Sequence, residues 1–180
     1  MPDLLDAEAI KSALRALSDE LHAQQQSGEL LLVGGAAMAL VYDARPTTKD
    51  VDVYIVSPER AAILREAASR VAAKLDLPED WLNDGAKGYM HPAQPSIGVT
   101  VFEGEALVVR ALAPEQLLAM KLVAWRGDVD ITDAGVLLVQ LSGSKEEIWS
   151  KVEVHVVPGQ ENKACYAFED LWEKHHDSAS

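Results

Sequence analysis

Hydrophobic positions along this chain change period several times, and each change marks an element. Ile10, Leu14, Leu17 and Leu21 fall three or four residues apart, the spacing that lines one face of a helix, and they predict a leading helix over 4–26. Gly28 closes it, and 30–33 is a continuous apolar run of the length of a buried strand. Gly34 and Gly35 follow at once, and the small apolar residues of 36–42 predict a helix packed closely on that strand. After a Pro/Thr connection at 45–49, Asp50-Val51-Asp52-Val53-Tyr54-Ile55 alternates polar and β-branched residues, the period of a half-buried strand.

Farther on, Ser57-Pro58 offers an N-cap followed by proline in the first turn, and Leu64, Ala67, Ala68, Val71 and Leu75 repeat at helical intervals, so a helix is predicted over 58–75. The stretch 77–95 is rich in Pro, Gly, Asn and Asp and reads as a long surface connection with a short turn near Trp81. Two apolar runs, 97–102 and 106–112, flank Glu103-Gly104-Glu105 and predict a hairpin. Pro114 opens a helix to about 126, and Asp128 or Asp130 opens another to about 141. Ser144 and Glu147 have capping-box spacing, so 145–156 reads as helix despite the alternation of Val152, Val154 and Val156, and 166–174 reads as a short final helix.

At 180 residues and 48% apolar composition, the chain can bury about two-thirds of its unfolded surface around one core. A formal net charge of −13 opposes nonspecific binding to DNA or RNA, because affinity for a phosphate backbone comes from clustered Lys and Arg, and no such cluster is visible. The single cysteine, Cys165, cannot form an intramolecular disulfide, and no Cys/His spacing suggests structural zinc. Residues 1–8 are acidic and lack the basic-then-apolar pattern of a secretion signal, and no apolar run approaches the ~20 residues of a membrane span. The expectation is a soluble cytoplasmic protein with no membrane partner.

Candidate chemistry begins with Asp50 and Asp52. Residues two apart on a strand project from one face about 6.5–7 Å apart along the chain, so both carboxylates can hold one or two Mg²⁺ (or Mn²⁺) ions, which prefer oxygen ligands. An edge strand bearing ordinary solvent-facing aspartates has the same appearance. The glycine pair tilts the balance: it lies between a strand and a helix, where backbone N–H groups can approach phosphate oxygens closely. Arg45, Thr47 and Thr48, just ahead of the aspartates, offer guanidinium and hydroxyl donors to a triphosphate, or simply a loop that ends in a strand. In the helix from Pro114, Leu117, Leu118, Lys121, Leu122 and Trp125 fall within an arc of about 140°, so Lys121 emerges from the buried face and needs a partner. Asp130 shares the apolar face of the next helix with Ala134, Leu137, Leu138 and Leu141. A buried ion pair between Lys121 and Asp130 joining the two helices, Lys121 snorkelling past the core, and Asp130 acting only as an N-cap are the alternatives to a role in chemistry.

Taken together and in order, Leu-Leu-Leu-Val-Gly-Gly-Ala-Ala-Met-Ala-Leu at 30–40, Arg-Pro-Thr-Thr-Lys-Asp-Val-Asp-Val at 45–53 and Leu-Leu-Ala-Met-Lys-Leu-Val-Ala-Trp-Arg at 117–126 resemble the DNA polymerase beta-like nucleotidyltransferase superfamily. More narrowly, the chain resembles bacterial nucleotidyltransferase-like proteins related to the toxins of type IV toxin-antitoxin systems, over about residues 30–140. The resemblance implies an α/β (α+β) fold: a nucleotidyltransferase-type mixed sheet flanked by helices over 1–112, with a helical C-terminal part over 113–180 packed on that core as one globular domain. It also implies that Gly34 and Gly35, with Arg45 and Thr48, hold nucleotide phosphates, and that Asp50 and Asp52 bind catalytic metal. Lys121 would then carry triphosphate charge, with Asp130 or Asp133 beside the nucleotide. The substrate would be an NTP and the acceptor a hydroxyl on tRNA, protein or a small molecule, with an antitoxin protein as a further partner.

One departure stands out. Many members of the superfamily carry a third carboxylate on a later strand, where this chain has Thr100; Glu103 and Glu105 are substitutes that read better as hairpin-turn residues. A catalytically silent nucleotide- or protein-binding module is therefore the alternative. His91 and the His175-His176 pair read as surface residues, and Trp81-Leu82-Asn83-Asp84 resembles the same group with no role beyond a lid or substrate-side contact.

Overall fold

In the computed structural model, which describes residues 4–93 and 95–177, the chain divides into two compact units. One comprises the chain up to Lys87 together with Ile97–Leu112; the other comprises Gly88–Ser96 and the chain from Ala113 onward. Residues 88–96 thus group with the helical part. The architecture is mixed α+β, consistent with the nucleotidyltransferase-type fold.

The first unit opens with a two-residue strand, β1 (Leu5–Asp6), and the helix α1 (Ala7–Ala23). Asp6 ends one and caps the other, its carboxylate accepting the Ala9 N–H at 2.8 Å. Ile10, Leu14, Leu17 and Leu21 are fully buried, as their spacing predicts. The chain then lays down β2 (Gly28–Leu32), α2 (Gly34–Leu40), a short β3 (Thr47–Thr48) and β4 (Val51–Ile55). The helix α3 (Ala61–Leu75) follows a 3-10 turn at Pro58–Arg60; Ser57 stands at the cap position but makes no side-chain cap bond. After it come β5 (Leu82–Asn83), β6 (Ile97–Glu103) and β7 (Leu107–Leu112).

Five strands form one mixed sheet in the order β5-β4-β2-β7-β6, with β2 at its centre, antiparallel to β4 and parallel to β7. Neighbours on both edges explain the unbroken apolar run of β2, in which Leu30, Leu31 and Leu32 are all buried. On β4 the alternation is as the sequence predicts, with Val51, Val53 and Ile55 buried and Asp52 and Tyr54 partly open. The Pro/Thr connection is more ordered than its composition suggests: Thr47 and Thr48 pair with Asp6 and Leu5. So is the stretch read as a long surface connection. Trp81 is fully buried and donates its indole N–H to Ala68 O at 3.0 Å, and Leu82–Asn83 joins the sheet edge beside β4.

The second unit is built on α4 (Pro114–Ala124), which packs on α5 (Asp128–Leu138), α6 (Lys145–Glu153) and α7 (Glu161–Asp177). Because α4 has neighbours on several sides, every residue from Gln116 to Val123 is buried, not one arc alone. Gln116 is satisfied by accepting the Ser96 N–H at 2.6 Å. The predicted capping box at α6 is complete, with Ser144 and Glu147 bonding each other's backbone N–H groups. α6 ends at Glu153, so Val152 and Val156 are buried while Val154 is 60% exposed. α7 runs 17 residues, well beyond the short helix predicted.

Candidate functional site

The end of β2 delivers the glycine pair directly onto β4. Val33 is extended and donates its N–H to Asp52 O at 3.0 Å, which brings the two strands together at the point where α2 begins. Gly34 then turns left-handed at φ +59°, a conformation that costs glycine little and other residues more. A Cβ on Gly34 would stand 2.6 Å from Asp52 Oδ2; one on Gly35 would stand 2.6 Å from Thr48 Oγ1 and 2.9 Å from Arg45 Nη1. Gly34, Gly35, Arg45, Thr48 and Asp52 therefore meet in one place. Thr48 is held there by donating its hydroxyl to Asp50 O at 3.2 Å, and by the pairing of β3 with β1.

Asp50 lies one residue ahead of β4 and is partly buried. Burial pushes its carboxyl above the ordinary range and Asp80 adds to this, against the lowering effects of a hydrogen bond from Asn83 and of Lys49. The Asn83 bond, Nδ2 to Asp50 Oδ2, is 2.8 Å long, and Asn83 stands opposite Asp52 in the β4–β5 register. Sequence reading missed Asn83. Its only signal was its place in the Trp81–Asp84 tetrad, which resembled the family without a role.

Among the described residues no third acid completes a metal-holding group with this pair. Tyr54 and Arg110 both stand opposite Leu31, so Arg110 shares the Asp52 face of the sheet, as do Val108 and Leu112 two residues to either side. Arg110 is ion-paired with Glu29. Thr100 is exposed on β6, three strands from β4, or roughly 14 Å at the usual strand spacing. Glu103 is level with Glu29 through Val108, and the turn that carries Glu105 lies beside Gly28, so both are four to five residues along β2 from Val33, roughly 13–17 Å from the Asp52 end. Among the described residues no group of three or more His, Cys, Asp or Glu side chains is arranged to hold a metal. Asp50 and Asp52 would offer a cation two carboxylates at most. That suits Mg²⁺, which is commonly bound through one or two carboxylates plus substrate phosphates and retained water, and it does not suit a cation caged by protein alone.

Lys121, Asp130 and Asp133 belong to the second unit. The Lys121 ammonium lies 3.0 Å from Asp130 Oδ1 and 2.8 Å from Asp133 Oδ2, with all three side chains almost wholly buried. The sequence left open which aspartate meets the lysine; α5 supplies both, one turn apart. Asp130 is the third residue of α5, and Gly127 takes the N-cap position. Its other oxygen accepts the Arg126 backbone N–H at 3.0 Å and the Arg126 Nε–H at 3.2 Å. Burial pushes the Asp130 carboxyl up, but the Arg126 and Lys121 donors outweigh it and hold the group below the ordinary range. The Arg126 guanidinium in turn sits 5.8 Å from the centre of the Tyr89 ring.

The remaining sequence candidates make local contacts of their own. His91 bonds the Ala93 N–H within its own turn, and His175 and His176 lie at the exposed end of α7, where His176 stacks on Trp172. A shallow depression of about 350 Å³ beside Glu29, Arg60 and Arg110 opens at the hairpin end of the sheet, away from Asp52. No helix among the described residues is long and apolar enough to cross a membrane.

Comparison with curated proteins and with solved structures gives no match. A family model described as "Nucleotidyltransferase of unknown function (DUF6036)" matches residues 10–143, a span that contains the glycine pair, Asp50, Asp52, Asn83 and the Lys121 network. Matched over most of its length, the chain belongs to this nucleotidyltransferase family.

Proposed function

We propose that the chain is a Mg²⁺- or Mn²⁺-dependent enzyme that moves an NMP from an NTP to a hydroxyl acceptor. The observation that carries this reading is the closure of Gly34 on Asp52 and of Gly35 on Thr48 and Arg45. A backbone without side chains lets phosphate oxygens come close, with the Arg45 guanidinium at its rim to meet them; the Thr48 hydroxyl, which donates to Asp50 O, would turn to a phosphate only by releasing that bond. Asp50 and Asp52 hold the cation jointly with those phosphates; bound there, it offsets the charge of the triphosphate and of the two carboxylates. In the reaction the acceptor oxygen bonds to the α-phosphorus and the bond to the α–β bridging oxygen breaks. The electron pair leaves on pyrophosphate and the hydroxyl proton passes to water. The protein's contribution is alignment and fixed charge, as is general for phosphoryl transfer.

Lys121 has a supporting place in this reading. Its ammonium is engaged by Asp130 and Asp133, so the network is assigned first to holding α4 on α5. The finer reading, a toxin-like enzyme acting on tRNA or protein and answered by an antitoxin, rests on the resemblance of the three segments around the glycine pair, the aspartates and Lys121. Growth arrest on induction, relieved by Asp52→Ala, would support that branch. For the activity itself, purified protein is incubated with each labelled NTP, Mg²⁺ and cell extract. Label should enter a product and vanish with Asp52→Ala; no label, or label indifferent to that change, refutes the enzyme. The silent module is favoured by one observation, the absence of an acid on the Asp52 face of β7. Calorimetric binding of NTP with Mg²⁺ but without transfer would select it.

A further inference from the structure

We infer that Asn83 is the positioning residue of the acidic pair, its side-chain amide holding the Asp50 carboxylate in place for a cation shared with Asp52. The inference rests on the assignment of Asp50 and Asp52 as cation ligands made above. Three features of the Trp81–Asp84 segment carry it.

First, the amide is oriented at both ends. Its carbonyl accepts the Gly85 N–H at 3.2 Å, which leaves the NH₂ to donate to Asp50 Oδ2 at 2.8 Å. That bond fixes the plane of the Asp50 carboxylate. Second, the segment is anchored far beyond what a two-residue edge strand needs for itself. The Trp81 ring is fully buried with its N–H on Ala68 O, Trp81 O takes the Val51 N–H at 2.6 Å, and Asp84 is clasped by Arg65 at 2.5 Å and Lys87 at 3.6 Å. These contacts fix Asn83 opposite Asp52. Third, a neutral amide is the chemistry such a brace requires. Asp50 and Asp52 lie two residues apart, and like charges side by side are unfavourable unless something offsets them. An asparagine supplies the orienting hydrogen bond without adding another negative charge.

Residues that orient metal-binding carboxylates from behind cost about 10–100-fold in metal affinity when removed. Full-length protein is therefore titrated with Mn²⁺ alone, the free ion being followed by its paramagnetic resonance signal, in wild type, Asp52→Asn, Asn83→Ala and Asn83→Leu. The leucine variant keeps the branched shape and loses the amide's hydrogen bonds, so the comparison survives if the alanine variant folds poorly. Both Asn83 variants are expected to weaken Mn²⁺ binding by about tenfold or more while the thermal midpoint in chelator stays near wild type. A merely structural asparagine would move the midpoint and leave Mn²⁺ affinity alone. Wild-type affinity in both Asn83 variants, alongside a loss in Asp52→Asn, would overturn the inference and leave the site standing. If Asp52→Asn binds Mn²⁺ as wild type does, the assignment of the acidic pair falls and the inference with it.

Discussion

Gly34→Ala probes the link between backbone conformation and the acidic pair. At φ +59° an alanine pays the left-handed penalty of about 1–2 kcal/mol. Its Cβ would also lie 2.6 Å from Asp52 Oδ2, 3.3 Å from Asp52 Cβ and 3.4 Å from Asp52 Cγ. The aspartate is short and rooted in β4, so it relieves the clash by leaving its rotamer, at roughly 0.5–1.5 kcal/mol. The sum, about 1.5–3.5 kcal/mol, corresponds to a fall of roughly 3–14 °C in melting temperature for a chain of this size. Gly35→Ala is the control. Gly35 has no positive φ and escapes the left-handed penalty, but its Cβ would stand 2.6 Å from Thr48 Oγ1 and 3.3 Å from Thr48 Cβ, on a short side chain held in β3, as well as 2.9 Å from the mobile end of Arg45. Alanine also favours the helix there by up to about 1 kcal/mol. Differential scanning calorimetry of both variants should show a lowered midpoint for Gly34→Ala and a smaller fall for Gly35→Ala, which meets Thr48 but lacks the backbone penalty, while NTP binding falls in both. A Gly34→Ala protein that melts with wild type would refute the argument, because neither the turn nor the contact with Asp52 would then be needed.

Two further predictions concern the second unit. Lys121→Met leaves Asp130 and Asp133 buried without their shared cation and should destabilise by about 3–5 kcal/mol in urea denaturation; a loss under about 1 kcal/mol would remove the network from any structural role. Asp130 is held below the ordinary carboxyl range in the folded state, so its contribution is present above the unfolded value of about 3.9 and is lost as pH falls below that through the folded value. Asp130→Asn should therefore flatten the acid limb of the stability profile, read as urea midpoints from pH 5 downward; an unchanged slope would show that the Arg126 and Lys121 donors do not favour the ionised form.

Much of this fold is legible in local spacing. Helical periods mark α1 and α3, and strict alternation on β4 gives both its buried face and the partly open Asp52. The Ser144-Glu147 box starts α6 where its spacing says it should. These are short-range signals, since each depends on which residues share a face within one element. The glycine pair and the acidic pair were visible for the same reason: strand, two glycines and helix form one continuous segment, and Asp50 and Asp52 are two residues apart.

What only the tertiary structure decided concerns residues whose partners are distant in sequence. Thr47 and Thr48 look like a loop until β1 pairs with them, and Trp81 sits in a stretch rich in Pro, Asn and Asp until its indole finds Ala68. Asn83 looks like a turn residue until β5 lies beside β4 and its amide meets Asp50, 33 positions away. Lys121 needed a partner by its place on an apolar face, but the presence of two aspartates followed from the docking of α5 on α4. A side chain's period is set by its own helix or strand, whereas its hydrogen-bond partner is set by how elements pack, and for Asn83 and Lys121 only the packing supplies that partner.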